Sequence, residues 1–489
     1  MTDGHAEAAV DISHQVSMST RSRDRSSGFS TSILPTEIYQ MIVEHIVSHY
    51  DRRNNDHKAI RAKTLSSLTR TSTTLQYLTE PYLYSFPDGS RLESYQGKER
   101  FRLSLAVDSR RANHVQVLDF EWDTQVRSRR LVIDIARRCP NLRLLGLRLP
   151  KKASGGDEFN QAYVDHLADL FFVCPNVRKL RLTTYCRKVD LPIPEKNARV
   201  AKFAGQLSHV EMNGGGAWFQ KAMLPYLSKK LISFSAIHTD SPQYEDLPGF
   251  LETLSQRCPV LQRLKIKCHG ITLADLTTLC KALGSTLKLL CLDCLDGDGS
   301  VLSMLVPRLQ VLEHLMLGHD IPLHVQDLKA MSSLSCLRTF IADGMDYSYN
   351  YTGNFFRGET DTDVDRALAS FIHAHRTTLE TMWLNSDHRL DRGVFDNLKL
   401  VPNLGCVGLC LMEELERKDV DDLLEACPKL RGASDIHECL DEMFGNGVSL
   451  ENRRYMWIGY WRPTMWFEND YPWSDTSWAV SLRQYQDEI

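Results

Sequence analysis

Across residues 115–409 the chain repeats one hydrophobic frame: an apolar residue, two variable positions, an apolar residue, one variable position and another apolar residue. The frame fits Val115/Leu118/Phe120, Leu142/Leu145/Leu147, Val177/Leu180/Leu182, Leu207/Val210/Met212 and, more weakly, Leu231/Phe234/Ala236. It continues at Leu261/Leu264/Ile266, Leu287/Leu290/Leu292, Leu312/Leu315/Leu317, Leu337/Phe340/Ala342, Leu379/Met382/Leu384 and Leu404/Val407/Leu409, and a frayed copy begins at Leu430. The last two apolar positions of each frame alternate with variable ones, which predicts a short strand with one buried face. Amphipathic stretches between frames, such as residues 275–287, predict helices. Successive frames start about 24–30 residues apart, with longer gaps before Val177 and Leu379.

One strand and one helix cannot bury their apolar faces alone, whereas stacked copies can. The period is that of leucine-rich repeats. The expected fold is therefore α/β, a solenoid with parallel strands on its concave side and helices outside. Four frames are introduced by Cys-Pro, at Cys139, Cys174, Cys258 and Cys427. Proline cannot continue a helix and restricts the residue before it, so the pair predicts a helix end with a small sulfur side chain turned into the core. A metal site would need ligand pairs that converge, and these cysteines fall at equivalent places in separate repeats. Residues 105–440 resemble the cysteine-containing leucine-rich repeats found in many F-box proteins.

A different pattern precedes the repeats. In SILPTEIYQMIVEHIVSHY (32–50), Pro35 suits a first helical turn, and Ile38, Met41, Ile42 and Ile46 recur at helical spacing on one apolar face. A polar insertion, DRRNNDHKAIRAK, separates it from residues 64–85. There Leu65, Leu68, Leu75 and Leu78 predict a second amphipathic helix ending before Pro81. So small a module has little core of its own and is expected to dock onto something. Leu34-Pro35, Glu37-Ile38 and the LSSLTRTSTTL…EPYLYS block resemble a fungal-type F-box. The insertion is longer than usual, and the late Cys and Trp of many F-boxes are absent. The resemblance implies binding to a Skp-type adaptor of a cullin–RING ubiquitin ligase. By position it assigns the adaptor contacts to Leu34, Pro35, Ile38 and Ile42, followed by Leu65 and Leu68. The other reading is an N-terminal cap, which such arrays need.

Composition narrows the picture further. The 489 residues divide into an expected tail (1–30), the F-box-like module (31–88), the solenoid (89–440) and an aromatic-rich capping segment (441–489). A net charge of −4 offers no overall basic field for nucleic acid. No apolar run is long enough for a membrane span, and residues 1–30 lack the apolar stretch of a signal peptide. Thirteen cysteines, odd in number and scattered, fit reduced thiols of the cytosol or nucleus.

Candidate chemistry is sparse. The CxxC at 291–294 falls on and just after a predicted strand, with no second pair. DTDVDR (361–366) departs from a calcium loop at its sixth position, Arg366, and its twelfth, Ile372, and reads as a polar insertion before a helix. The glycine runs at 213–216 and 296–300 lack the Lys-Ser/Thr of a phosphate loop. The imidazoles of His373 and His375 point to different helix faces. No catalytic motif and no cofactor requirement emerge.

The concave face carries the remaining candidates for binding a client: Lys179 and Arg181, then Arg263, Lys265 and Lys267, with Trp383 as an aromatic anchor. Strands lie about 5 Å apart, so the two basic clusters suit an acidic or phosphorylated segment. Residues 453–478 hold five of the eight tryptophans. They read as a strap over the last repeat or across the concave face, or else as a recognition surface. The resemblances together imply a non-catalytic substrate receptor of a Skp–cullin–F-box ubiquitin ligase. The alternative is an interaction scaffold without a ligase role.

Overall fold

The computed structural model describes residues 34–49, 55–87, 92–149, 160–184, 192, 197–214, 216–237, 249–267, 271–292, 300–318, 321–343, 345–346, 351–352, 356, 359–385, 389–433, 440, 443–444 and 455–458. The expected N-terminal tail, the glycine run from 296 to 299, Cys294 and most of the aromatic C-terminal segment lie outside them.

Each frame becomes a strand: β1 (Val117–Glu121), β2 (Leu144–Leu149), β3 (Lys179–Thr184), β4 (His209–Asn213), β5 (Ser233–Ile237), β6 (Arg263–Lys267), β7 (Leu289–Leu292), β8 (His314–Leu317) and β9 (Thr339–Asp343). After a short antiparallel pair, β10 (Met345–Asp346) with β11 (Tyr351–Thr352), come β12 (Thr381–Asn385) and β13 (Cys406–Cys410). The frame strands join side by side in chain order as one parallel sheet, β9 pairing with β12. The chain is a leucine-rich-repeat solenoid. In every frame the two alternating apolar residues are buried toward the helices, from Leu118 and Phe120 to Val407 and Leu409.

The Cys-Pro pairs end helices as their chemistry requires. Cys139, Cys258 and Cys427 are the first residues past helices Val126–Arg138, Phe250–Arg257 and Arg417–Ala426, and Cys174 follows Gln161–Phe172 one residue later. Each cysteine carbonyl then accepts a hydrogen bond from the N–H three residues on. The donors are Leu142, Val177, Leu261 and Leu430, at 3.0–3.4 Å. Proline suits the second position of such a turn, so Cys-Pro-x-Leu, with Val in place of Leu after Cys174, is the corner that turns the first three of these helices into the next frame, while at Cys427 it opens the short helix Pro428–Arg431. All four sulfurs are buried. Burial pushes the thiols of Cys139, Cys174 and Cys258 up to about 12 and that of Cys427 up to about 11. Side-chain amides tie these corners together: Asn176 donates to the Pro140 carbonyl at 2.8 Å and Gln206 to that of Cys174 at 3.0 Å.

Stacking is tight where Gly284 follows helix Leu273–Leu283. A Cβ there would press on the carbonyls of Arg308, in the next repeat, and Cys280. Gly284→Ala is expected to cost about 1–3 kcal/mol, read as a lower denaturant midpoint at unchanged slope.

The first helices differ from the sequence expectation. Helix α1 (Thr36–His49) forms as predicted, but residues 55–63 of the polar insertion are themselves helical. They belong to α2 (Asn55–Leu68), while residues 73–85 make a separate α3 (Thr73–Ser85). The break falls at Thr69–Ser72, where the Ser72 hydroxyl caps α3 by accepting from Leu75 N–H at 3.1 Å. Pro81 lies inside α3 instead of ending the second helix. Its missing N–H leaves the carbonyl of Tyr77, an exposed residue whose backbone water can serve. Residues 92–114, read as part of the repeats, hold α4 (Tyr95–Val107) and α5 (Ser109–His114) ahead of the first strand. DTDVDR is the first turn and a half of helix Asp361–Ala374 and not a loop before it, because Thr360 caps that helix through Asp363 N–H. At the frayed copy, Leu430 sits in a short helix, Pro428–Arg431. The final strand, β14 (Tyr455–Ile458), pairs antiparallel with β13.

The module and the solenoid are joined by direct contacts. Arg111 of α5 donates to the buried Glu80 carboxylate of α3 at 3.0 Å and stacks over Tyr84. Gln116, at the entry to β1, donates its N–H to the Ser85 carbonyl at 3.2 Å.

Candidate interaction surfaces

Two surfaces concentrate the sequence-predicted residues. The first is α1. Its inward side is set by Val43 and Val47, which with Leu65 of α2 form the module's core, against which Ile46, Leu68, Leu75 and Leu78 pack. That leaves a second apolar side facing out: Leu34 is 45% exposed, Ile38 38%, Met41 63% and Ile42 40%. The spacing explains both sides, since residues three and four apart share a helix face and α1 has apolar residues on two such faces. Pro35 is exposed at the helix start, and its carbonyl accepts from Ile38 N–H at 3.0 Å. Of the six residues assigned by resemblance, Leu34, Pro35, Ile38 and Ile42 are exposed, Leu68 is half-buried, and Leu65 lies in the module's own core. Met41, the most exposed of the outward group, was not among the assigned contacts, although its helical spacing matched Ile38 and Ile42. Ordinary monomer surfaces carry apolar residues singly; here four lie on one short stretch.

The second surface is the concave face. Strand pairing aligns its residues in rows. Arg181, Glu211, Ser235, Lys265, Cys291, Met316, Ile341, Trp383 and Gly408 occupy one row, and Lys179, His209, Ser233, Arg263 and Leu289 the next. The two basic clusters thus share one face, with β4 and β5 between them. Arg181 donates from Nε to Glu211 at 3.0 Å. Lys265 and Glu211 are buried, Arg263 is exposed, and Lys267 ends β6 with its side chain outside the described residues. Burial, reinforced by the Arg263 charge, lowers the Lys179 ammonium to about 8. Burial, then Lys179 and Arg263, hold His209 down at about 3, so it is neutral. Two groups that both sense Arg263 belong to one positive field.

Trp383 is four strands from Lys265 in the same row. It lies flat on Gly408, where any Cβ would run into its indole. Around it this row is apolar, while the next row continues from Leu289 through His314, Thr339 and Thr381 to Cys406, so the face divides into a basic half and a half whose central row is apolar.

The remaining candidates have structural roles. His375 is buried at a helix end and meets the Met331 carbonyl at 3.0 Å, with burial lowering its pKa. Lys98, which the sequence reading passed over, is buried in α4. Its ammonium donates to Ser128 Oγ at 3.1 Å and to the Glu121 carbonyl at 3.3 Å, pinning α4 to the end of β1. Among the described residues no cluster of three or more His, Cys, Asp or Glu side chains could hold a metal ion, and no helix is long and apolar enough to cross a membrane.

Comparison with known proteins adds little. No family model matches the chain, and no curated protein does. Among solved structures, the crystal structure of the Rad7 and Elc1 complex in yeast is similar over 82% of this chain and 92% of that one, at 14% identity and a TM-score of 0.39. The solenoid is defined by the parallel register of its own strands.

Proposed function

We propose that the chain is the substrate-recognition subunit of a Skp–cullin–F-box ubiquitin ligase, acting by positioning and not by chemistry. The observation that carries this reading is the outward apolar side of α1. Leu34, Pro35, Ile38 and Ile42, with Met41, offer an adaptor a hydrophobic strip. Leu65 and Leu68 act from beneath by fixing the pitch of α1. Adaptor binding ties the chain to a cullin–RING assembly, and the solenoid holds a client beside the ubiquitin-loaded enzyme, raising its effective concentration. Co-expression with a Skp-type adaptor and a cullin tests this. The three chains are expected to purify together, and a folded chain recovered alone would refute the assignment.

The client side rests on the basic half of the concave face. Charge-assisted hydrogen bonds from Lys179, Arg181, Arg263, Lys265 and Lys267 suit an acidic or phosphorylated segment, with Trp383 anchoring an apolar residue. Arg263→Glu/Lys265→Glu/Lys267→Glu is expected to abolish capture of an acidic or phosphorylated client peptide selected with the wild-type chain, while leaving adaptor binding intact. Unchanged capture in a peptide pull-down would remove the basic half from the account.

The Glu80–Arg111 contact favours a second reading, in which α1–α3 serve as an N-terminal cap and the chain is an interaction scaffold. Under that reading the outward side of α1 has no adaptor to meet.

A further inference from the structure

The apolar half of the concave face is buried although it faces away from the helices. Leu289, Cys291, Met316, Ile341, Trp383 and Cys406 form a cluster of their own, separate from the helix-side core. No described helix residue joins it. Cys291, Met316 and Ile341 are each only 1% exposed. Side chains about 4.8 Å apart on one face of a sheet shield one another sideways but not from above, so burial this complete needs a cover. The sequence of these strands agrees. LLCL at β7 and CVGLC at β13 are continuous apolar runs of the kind found in strands covered on both faces.

We propose that the cover is this chain's own C-terminal segment, residues 459–489, bound in cis along the concave face. Three observations select it. The first is its starting point. Strand β14 is already part of the sheet, antiparallel to β13, and ends with Ile458 beside Val407, at the apolar end of the face. The second is length. From β13 to β6 is five strand spacings, about 24 Å, and ten extended residues beyond Ile458 reach about 33 Å. The third is order. Leaving Ile458, the segment presents Trp461, Trp466 and Phe467 before any carboxylate, and Glu468, Asp470 and Asp475 only after them, interleaved with Tyr471, Trp473 and Trp478. Leaving β13, the face presents Trp383, Ile341 and Met316, then Lys265, Arg263, Arg181 and Lys179. Aromatics meet apolar strands, and carboxylates meet basic ones. The segment carries five carboxylates against two arginines, so its net charge opposes that of the basic half. A client for this face then competes with the segment already there.

The three cysteines on this face report its occupancy. Thiol alkylation, resolved by residue with mass spectrometry, compares the full chain with Trp461→Ser/Trp466→Ser/Phe467→Ser and with a chain ending at Ile458. Cys291, Cys406 and Cys410 are expected to react at least about tenfold faster in both variants. Cys258 and Cys280, in the helix-side core, should stay protected and so report that the solenoid is intact. A synthetic 459–489 peptide should restore protection to the shortened chain. Concave cysteines that stay equally protected in both variants would overturn the proposal. On the unaltered protein, zero-length carbodiimide coupling should join Lys265 or Lys179 to Glu468, Asp470 or Asp475 within one chain. Links found only between two chains, or none to this segment, would overturn it whatever the variants do. Neither readout involves the adaptor, so failure here leaves the ligase assignment standing, and the reverse also holds.

Discussion

Leu290→Ala is expected to destabilise the solenoid by about 2–5 kcal/mol. Leu290 is fully buried at the centre of β7, level with Leu264 on one side and Leu315 on the other. The substitution removes apolar surface and leaves a cavity. Collapse around it is opposed from both sides, because Lys288 and Leu289 donate to the Gln262 carbonyl while Glu313 and His314 donate to that of Lys288. Repeat arrays propagate stability between neighbours, so amide exchange should speed first in β6 to β8. Arg263→Ala, on the opposite face of the neighbouring strand, should stay within about 0.5 kcal/mol. A comparably small loss for Leu290→Ala would undo the strand register.

Ile38→Glu/Ile42→Glu is expected to weaken adaptor binding about a thousandfold. Central apolar anchors of an interface contribute about 2 kcal/mol or more each when truncated, and two such losses amount to nearly three decades in affinity. The denaturant midpoint should hardly move, since both side chains already face solvent. Val43→Ala, one position along the same helix, should behave in the opposite way. Val43 is fully buried in the module's small core, so its loss should appear in stability first. Titration of each variant against purified adaptor, beside a melting curve, separates the two sides of α1.

What the sequence made legible follows from how each signal is generated. The inward positions of all eleven complete frames were readable because a period of two, recurring in frame after frame, leaves one choice of buried face. The Cys-Pro corners were readable because a small buryable residue followed by proline recurs at the end of successive amphipathic stretches. By contrast, α1 is apolar on two sides. Helical spacing alone grouped Ile46, which packs against the core, with Ile38, Met41 and Ile42, which face out; only the placement of α2 and α3 separates them. Residues 55–63 offer almost no apolar periodicity and read as an insertion, which leaves Leu65 and Leu68, at the end of the same helix, joined to the next one. Pro81 reads as a helix stop, but its turn faces water, where the lost bond is cheap. On the concave face, the frame treats Cys291, Met316 and Ile341 as variable positions. Their apolar character, beside basic residues at the equivalent positions of other frames, is the sequence signal of their burial.

Calorimetric titration of the full, folded chain with a purified Skp-type adaptor asks whether the outward side of α1 binds an adaptor. Saturable one-to-one binding that disappears in Ile38→Glu/Ile42→Glu is the predicted result. No binding by the folded wild-type chain would contradict it and leave α1–α3 as the cap of a solenoid scaffold.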